Sequence, residues 1–135
     1  MAEQIQLEVV TPDNIVVEEM VDLVVAPGTE GEFGVLPDHI LFLTSLRVGE
    51  MYYRKGNKTD YIAITGGYAE VLPDKVTILA EAAEKARDID VDRARRAMER
   101  AQERLRQAKK ESLDYAQAEA ALARAMMRLK VAEKQ

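Results

Sequence analysis

Hydrophobic and polar residues alternate near the start of the chain, where Ile5, Leu7 and Val9 are separated by Gln6 and Glu8. A period of two predicts a β-strand with one buried face. Further apolar runs, rich in β-branched and aromatic residues, are Met20–Ala26, Tyr61–Thr65, Tyr68–Leu72 and Val76–Leu79. The first part of the chain is therefore predicted to form several short strands.

Proline and glycine separate these runs. Turn signals of this kind are Pro12-Asp13, Pro27-Gly28, Pro37-Asp38, Gly56-Asn57, Gly66-Gly67 and Pro73-Asp74. All 7 glycines and all 4 prolines lie at or before Pro73. Because no helix is predicted in this part to cover a sheet face, the strands favour a compact β-sandwich or flattened barrel.

From Val91 onward the apolar residues recur at intervals of three and four, which is typical of amphipathic helices that pack in pairs. The first helix carries Val91, Ala94, Met98, Ala101, Leu105 and Ala108 on one face, and the second carries Leu122, Ala125, Met126, Leu129 and Ala132. Between them, Asp114 followed by Gln117 has the layout of a helix N-cap. The short polar connection predicts that the two helices are antiparallel neighbours.

The predicted fold class is α+β, with an N-terminal β-sandwich (flattened barrel) over residues 1–84 and a C-terminal antiparallel α-helical hairpin over residues 85–135. Residues 88–135 contain eleven alanines, so the helices approach closely but bury little apolar area per residue. At about 25 cal/mol per Å² this area gives only a modest net stability once the entropy of ordering is subtracted. We therefore expect the hairpin to open easily.

Charge differs between the two parts. Residues 1–87 carry 7 Lys and Arg against 15 Asp and Glu, a net charge of −8, whereas residues 88–135 carry a net charge of +3. The acidic body and the acids interleaved in the tail disfavour nucleic-acid binding. The sequence has no cysteine, no signal-peptide pattern at Met1–Ile5 and no apolar run near the roughly 20 residues of a membrane span. We expect a cytosolic protein.

Residues suited to catalysis are scarce. The only histidine, His39, lies in a Pro37-Asp38-His39 turn with no nucleophile patterned near it, so a packing or capping role is favoured over a catalytic one. Gly28–Gly34 contains three glycines, but its acids would repel a phosphate and no helix follows. This segment predicts a turn or a protein-contact loop. We expect no catalytic residue and no metal site.

Four arginines form the remaining pattern. Arg93 and Arg100 lie two turns apart on the first helix, and Arg124 and Arg128 lie one turn apart on the second. In an antiparallel hairpin they converge, and guanidinium groups suit phosphate oxygens. The alternative is that they are solvated and paired with acids such as Glu99, and composition alone favours this alternative.

Several segments, taken in order, resemble a known family. They are Val9-Val10-Thr11-Pro12-Asp13, Gly31-Glu32-Phe33-Gly34-Val35-Leu36-Pro37-Asp38-His39, Gly66-Gly67-Tyr68-Ala69-Glu70-Val71, Lys75-Val76-Thr77-Ile78-Leu79-Ala80, Asp88-Ile89-Asp90-Val91-Asp92-Arg93-Ala94 and Arg124-Ala125-Met126-Met127-Arg128-Leu129. In order and spacing, over essentially the whole chain, the sequence closely resembles the epsilon subunits of bacterial F-type ATP synthases. The resemblance implies the same sandwich and helical hairpin that the residue pattern predicts.

The resemblance also implies a place in the rotor of the synthase. The sandwich would bind the gamma subunit and rest on the c-ring, so that the chain couples ring rotation to the catalytic head without catalysing a reaction itself. Glu32 and His39 would face the ring or the gamma subunit. The chain would lie at the cytoplasmic face of the bacterial cell membrane, as a peripheral part of the proton-translocating complex.

In family members that bind ATP, the resemblance implies a site at an Ile/Leu-Asp-x-x-Arg-Ala motif, here Ile89-Asp90-Val91-Asp92-Arg93-Ala94. The implied ATP-binding positions are Glu84, Ile89, Asp90, Arg93, Ala94, Arg100, Arg124 and Arg128. Ile89 and Asp90 would contact the base region, and the arginines would hold the phosphates.

Bound ATP would act as a regulatory ligand that holds the hairpin down, with the requirement for Mg²⁺ left open. A released tail would extend into the catalytic alpha/beta head and restrain ATP hydrolysis. The alternative is an adaptor or rotor-docking subunit whose hairpin is permanently folded and senses no nucleotide.

Overall fold

The computed structural model describes residues 3–134, so Met1, Ala2 and Gln135, at the ends of the two predicted domains, lie outside the described part. The strands are β1 (Ile5–Val10), β2 (Ile15–Val21), β3 (Leu23–Gly28), β4 (Gly31–Val35), β5 (Phe42–Lys55), β6 (Lys58–Val71), β7 (Lys75–Ala80) and β8 (Ala83–Lys85). A 3-10 turn, Ala86–Asp88, leads to the helices α1 (Val91–Gln107) and α2 (Leu113–Ala132). The order of strands followed by two helices confirms the predicted α+β fold.

The strands form one sheet in the order β2-β1-β7-β6-β5-β3-β4, with β8 paired to β6. All pairs are antiparallel except β1 with β7. The strands β5 and β6, with 14 residues each, are the longest. The sheet folds over on itself and brings β2 close to β5, although the two strands are far apart in the sheet order. Their proximity is seen in the 3.1 Å hydrogen bond that Tyr53 of β5 donates to Glu19 of β2. This arrangement is the predicted sandwich.

The interior of the sandwich is apolar. Ile5, Leu7 and Val9 are fully buried, which confirms the alternation predicted for β1. They pack in one cluster with side chains from β2, β3, β5, β6 and β7. Full burial of an aliphatic side chain of this size stabilises the fold by about 1.5–3 kcal/mol relative to leaving it exposed.

Two apolar runs have different boundaries from those predicted. Met20–Ala26 is divided between β2 and β3 at Asp22, whose carboxylate accepts a 2.7 Å hydrogen bond from the backbone N–H of Gly56. The run Tyr61–Thr65 and all of Tyr68–Leu72 except Leu72 lie in one strand, β6. Gly66-Gly67 therefore marks a change of backbone conformation within a strand and not a turn. The strands β4, β5 and β8 lie outside the predicted runs, and in β5 polar residues interrupt the apolar ones.

The helices α1 and α2 pack against each other as a hairpin through alanine. The buried alanines are Ala94 and Ala101 on α1 and Ala118, Ala125 and Ala132 on α2, each seven residues from the next on its helix. Ala94, Ala101, Ala125 and Ala132 confirm the predicted faces of the two helices, and Ala118 extends the buried face of α2 one turn beyond the prediction. The prediction that Met126 lies in the same interface is wrong, because its side chain is 55% exposed.

The N-cap of α2 is Ser112, and the prediction of Asp114 is wrong. The Ser112 hydroxyl accepts a 3.1 Å hydrogen bond from the backbone N–H of Tyr115. The backbone is extended at Ser112, which lets its side chain turn back, whereas Asp114 already lies in the first helical turn. Within residues 3–134, neither helix is long and apolar enough to cross a membrane.

The C-terminal part of α2 fastens the hairpin to the sandwich. Val131 and Ala132 are buried in a second cluster with Ala63, Ala86 and Ile89. This cluster lies between α2, β6 and the 3-10 turn, and the helix α1 packs chiefly on α2. A gap therefore remains between α1 and the sandwich.

Candidate functional site

A cavity of about 480 Å³ fills the gap at the base of the hairpin, between α1 and the sandwich. Six of the eight predicted ATP-binding residues line it, namely Glu84, Asp90, Arg93, Ala94, Arg100 and Arg128. They come from β8, from the residue before α1, from α1 and from α2. The volume falls in the range of about 300–1,000 Å³ that is usual for small-molecule sites.

The start of α1 sets the helical wall of the cavity. Asp90 is the N-cap, and its carboxylate accepts a 3.0 Å hydrogen bond from the backbone N–H of Arg93. With the helix begun at this point, Arg93, Ala97 and Arg100 follow at helical spacing on the face that lines the cavity. The small side chains of Ala94 and Ala97 leave space between the two arginines.

An ion pair between Arg128 and Glu84 joins α2 to β8 at the cavity wall. Arg128 Nε lies 2.5 Å from Glu84 Oε1, and the two side chains are 29% and 37% exposed. With this exposure, solvent screens the pair, and it contributes about 1 kcal/mol or less to stability. Its main effect is to set the position of the Arg128 guanidinium relative to the sandwich.

Two predicted ATP-binding residues do not line the cavity. Ile89 is buried in the cluster beneath α2, because its apolar side chain packs near Val131. Arg124 is half-buried on α2, one turn before Arg128. Contact of these two residues with a nucleotide stays a prediction.

The other cavity residues were missed by sequence reasoning. They are Thr11, Asp13 and Asn14 of the β1–β2 turn, Glu81, Ala82 and Ala83 after β7, and Ala97. The strands β1 and β7 are parallel neighbours, and Val10 lies opposite Leu79. The segments that follow these two strands therefore leave the sheet side by side, at the same end of the strands. The sequence signalled a turn at Pro12-Asp13 but gave no sign of this strand pairing.

The cavity brings four carboxylates together with three arginines. Glu84 pairs with Arg128 and Asp90 caps α1. Within residues 3–134, the side chains of Asp13, Glu81, Arg93 and Arg100 take part in no ion pair or hydrogen bond that meets ordinary distance limits. The described residues contain no group of three or more side chains that could hold a metal ion.

Asp92, the acid beside Arg93, does not line the cavity. Its side chain is 80% exposed, and its carboxylate lies 3.6 Å from the guanidinium of Arg95. Asp92 is therefore paired with an arginine outside the cavity and does not compete for Arg93.

An exposed apolar surface lies at the other end of β7 from the cavity. This apolar end surface consists of Leu36, Ile40, Leu41, Phe42 and Leu43, which are between 39% and 78% exposed. His39 lies among them, with its Nδ1 atom 2.8 Å from the carbonyl oxygen of Ile40. Glu32 is exposed on β4, and Phe33 beside it packs edge-on against Phe42. Apolar surface of this kind usually marks a protein contact.

Two family models match consecutive parts of the chain. Residues 4–86 match the model described as ATP synthase, Delta/Epsilon chain, beta-sandwich domain. Residues 87–133 match the model described as ATP synthase, Delta/Epsilon chain, long alpha-helix domain.

Curated relatives match over nearly their full length. The ATP synthase epsilon chain of Syntrophobacter fumaroxidans is 63% identical over 134 residues, which cover 99% of both chains. The ATP synthase epsilon chain of Halalkalibacterium halodurans is 52% identical over 128 residues, which cover 95% of this chain and 96% of the relative.

Solved structures share the fold. A chain in the cryo-EM structure of the Euglena gracilis mitochondrial ATP synthase, comprising OSCP, F1 and c-ring, is 28% identical, with a TM-score of 0.81 over 96% of this chain and 81% of that one. A chain of the Tetrahymena thermophila mitochondrial ATP synthase, in a structure of the central stalk and c-ring, has a TM-score of 0.61 over 98% of this chain and 99% of that one. At 14% identity this second likeness concerns the fold alone.

Proposed function

Because the chain belongs to the delta/epsilon chain family of ATP synthase, we propose that it is a central-stalk subunit that couples rotation of the c-ring to the catalytic head and restrains ATP hydrolysis through its helical hairpin. It is a structural and regulatory chain of the synthase and not a catalytic one.

The apolar end surface supports docking of the sandwich on the gamma subunit and the c-ring. Burying apolar area stabilises a complex by about 25 cal/mol per Å² before the costs of association. Glu32 and His39 lie in or beside this surface and are the proposed polar contacts with the ring or the gamma subunit. Through this docking the chain is held peripherally at the cytoplasmic face of the bacterial cell membrane.

The observation that carries the regulatory part is the cavity, which joins both helices to the sandwich at the predicted ATP motif. In the proposed complex the phosphates of ATP lie on Arg93, Arg100 and Arg128, with Arg124 one turn away on α2. Glu84, Asp90 and Ala94, which line the cavity, lie on the side of the base. Ile89 is proposed for the same side but is buried beneath α2, next to the cavity. The arginines present enough charge to offset that of a nucleoside triphosphate.

ATP bound in the cavity favours the folded hairpin because it contacts α1, α2 and the sandwich, which separate when the hairpin opens. A ligand that binds one state stabilises it by about 2.7 kcal/mol at a hundredfold excess over its Kd. The alanine interface between α1 and α2 buries little area, so a change of this size shifts the population strongly. When ATP is absent, the tail extends towards the alpha/beta head and restrains hydrolysis.

The contacts beneath α2 favour a second candidate function. Val131 is fully buried, and the pairs Arg128–Glu84 and Lys134–Glu50 connect the hairpin to the sandwich. If these contacts suffice, the hairpin stays folded without nucleotide, and the chain acts as an adaptor or rotor-docking subunit.

Calorimetric titration of the isolated chain with ATP, with and without Mg²⁺, separates the two functions. We expect ATP to bind and to slow tryptic cleavage of the tail. Replacing Arg93, Arg124 or Arg128 by Ala removes a charge-assisted hydrogen bond, so the ATP affinity should fall about tenfold or more.

Arg106→Ala is the matched control. Arg106 lies near the tip of the hairpin and pairs with Glu103 at 2.6 Å, so this variant should bind ATP as the wild type does. Equal losses at Arg106 and Arg93 would indicate a diffuse charge effect and no site. The absence of ATP binding and of protease protection would favour the adaptor.

A further inference from the structure

Two carboxylates of the cavity are not used by the fold. Of the four that line it, Glu84 pairs with Arg128 at 2.5 Å and Asp90 accepts a 3.0 Å hydrogen bond at the start of α1. The carboxylates of Asp13 and Glu81 form neither an ion pair nor a hydrogen bond with any residue from 3 to 134. Their hydrogen-bonding capacity is therefore available to a ligand.

The backbone holds these two acids in place on the sandwich. They follow β1 and β7, which are parallel neighbours whose C-terminal ends lie side by side. Asp13 belongs to a compact turn, in which the Thr11 hydroxyl accepts hydrogen bonds of 3.3 Å from the backbone N–H groups of Asp13 and Asn14. The backbone N–H of Glu81 donates a 3.0 Å hydrogen bond to the carbonyl oxygen of Gly66.

The opposite wall of the cavity carries the opposite charge. Arg93 and Arg100 project from α1 and have no acidic partner among residues 3–134. A ligand that fills the cavity therefore meets unpaired cations on the helical side and unpaired hydrogen-bond acceptors on the sandwich side. Its anionic part belongs on α1, and the part that faces the sandwich must carry hydrogen-bond donors.

The ribose of a nucleotide has such donors, since its two hydroxyl groups are neutral and are common partners of Asp and Glu side chains. We propose that Asp13 and Glu81 accept hydrogen bonds from the ribose hydroxyls of the bound nucleotide and make the site selective for ribonucleotides over deoxyribonucleotides. The inference rests on the nucleotide site proposed above. It adds a contact between the ligand and the sandwich, so that the ligand links α1 directly to the β1–β2 turn.

A divalent cation fits the two acids less well. Mg²⁺ requires about six oxygen ligands in near-octahedral geometry, and residues 3–134 contain no group of three metal-binding side chains. The ribose hydroxyls need only the two acceptors that the cavity provides.

The test is calorimetric titration of the full chain with ATP, 2′-deoxy-ATP and 3′-deoxy-ATP, in EDTA and again with Mg²⁺. We expect at least one deoxy form to bind the wild type about tenfold more weakly than ATP, because a carboxylate loses its donor. In Asp13→Ala and Glu81→Ala, ATP should bind more weakly and the ratio between the ribo and deoxy forms should approach one. Both residues are exposed, and circular dichroism checks that the variants keep their fold.

Asp74→Ala is the control, because Asp74 is exposed, carries the same charge and lies in the turn before β7, at the end opposite to Glu81. It should leave the ratio unchanged. Equal binding of all three nucleotides by the wild type would overturn this inference but leave the proposed ATP site intact, whereas no binding of any of them would overturn both. Two other results would overturn the inference alone: tighter binding of every nucleotide to Asp13→Ala with an unchanged ratio, or discrimination that depends on Mg²⁺.

Discussion

At the scale of single residues, Gly67 allows β6 and β7 to approach each other. Its φ angle is +132°, and a Cβ atom at this position would lie 2.0 Å from the carbonyl oxygen of Leu79. The contact is with backbone, so it is relieved only if the strands separate.

Gly67→Ala should therefore destabilise the protein by at least about 2 kcal/mol, measured by urea denaturation. Gly34→Ala is the control, because a Cβ atom there has its nearest neighbour at 3.8 Å. Its free energy of unfolding should change by about 1 kcal/mol or less. Similar losses in the two variants would contradict this account of Gly67.

Tyr53 is the largest side chain in the core, and it hydrogen-bonds Glu19 at 3.1 Å. Burial, and then the nearby carboxylates of Asp60 and Glu19, raise the pKa of the Tyr53 phenol above its ordinary value of 10.0. The unfolded chain therefore loses this proton at a lower pH than the folded protein does. The free energy of unfolding should be unaffected below about pH 10 and should fall as the pH rises above it.

An alkaline titration followed by near-ultraviolet absorbance measures this effect. The ionisation step at the highest pH should be missing in Tyr53→Phe, and the stability of this variant should decline less above about pH 10. A titration curve that keeps its last step in Tyr53→Phe would show that another tyrosine is responsible.

At the scale of elements, the end of α2 is held by a charge contact as well as by apolar packing. Lys134 Nζ lies 2.6 Å from Glu50 Oε1 and 4.8 Å from the centre of the Tyr61 ring. Glu50 Oε1 is buried and has no hydrogen bond of favourable angle among the described residues, so the Lys134 ammonium is the group that compensates its charge. The contact with Glu50 raises the pKa of Lys134, so the stabilisation that depends on the Lys134 charge is complete below about pH 10.5 and is lost as the pH rises further.

Lys134→Ala should therefore loosen the hairpin at neutral pH, because it leaves the Glu50 charge partly buried without a partner. The expected result is faster hydrogen exchange of the α2 amides, with the sandwich amides unchanged. Lys130→Ala is the control, since Lys130 is exposed on the same helix and forms no ion pair within residues 3–134. Unchanged exchange in Lys134→Ala would mean that Val131 and Ala132 hold the helix without help.

At the scale of the whole molecule, the hairpin is the part most able to move. The sandwich has a large apolar core, whereas α1 and α2 meet through alanines, and α2 meets the sandwich through a small cluster and two ion pairs. Elements with few buried apolar contacts open at a lower free energy than the core of the same protein. The proposed regulation uses this difference.

If the hairpin senses nucleotide as proposed, Arg93→Ala in the assembled synthase should make hydrolysis less responsive to the concentration of ATP, because the variant tail would gain no stability from ATP and would favour the extended form. The measurement is the ATPase rate as a function of ATP concentration, with the Arg106→Ala enzyme as the control. Unchanged activation by ATP in the Arg93→Ala enzyme would show that the tail does not sense nucleotide in the complex.

The sequence by itself determined the periodic elements and the order in which they follow one another. The alternation at Ile5, Leu7 and Val9 and the intervals of three and four between apolar residues in α1 and α2 both report which face of an element is buried, and this information is local. The same helical spacing predicts that Arg93 and Arg100 share one face of α1, and both line the cavity.

Only the tertiary structure decided which distant segments meet. The parallel pairing of β1 with β7 brought Asp13 and Glu81 to one edge, and packing beneath α2 buried Ile89 away from the cavity. It also made Gly67 part of a continuous strand, where the local signal had indicated a turn. These outcomes depend on contacts between residues far apart in the chain. The free energy of such packing is larger than the local conformational preferences that a sequence pattern reports.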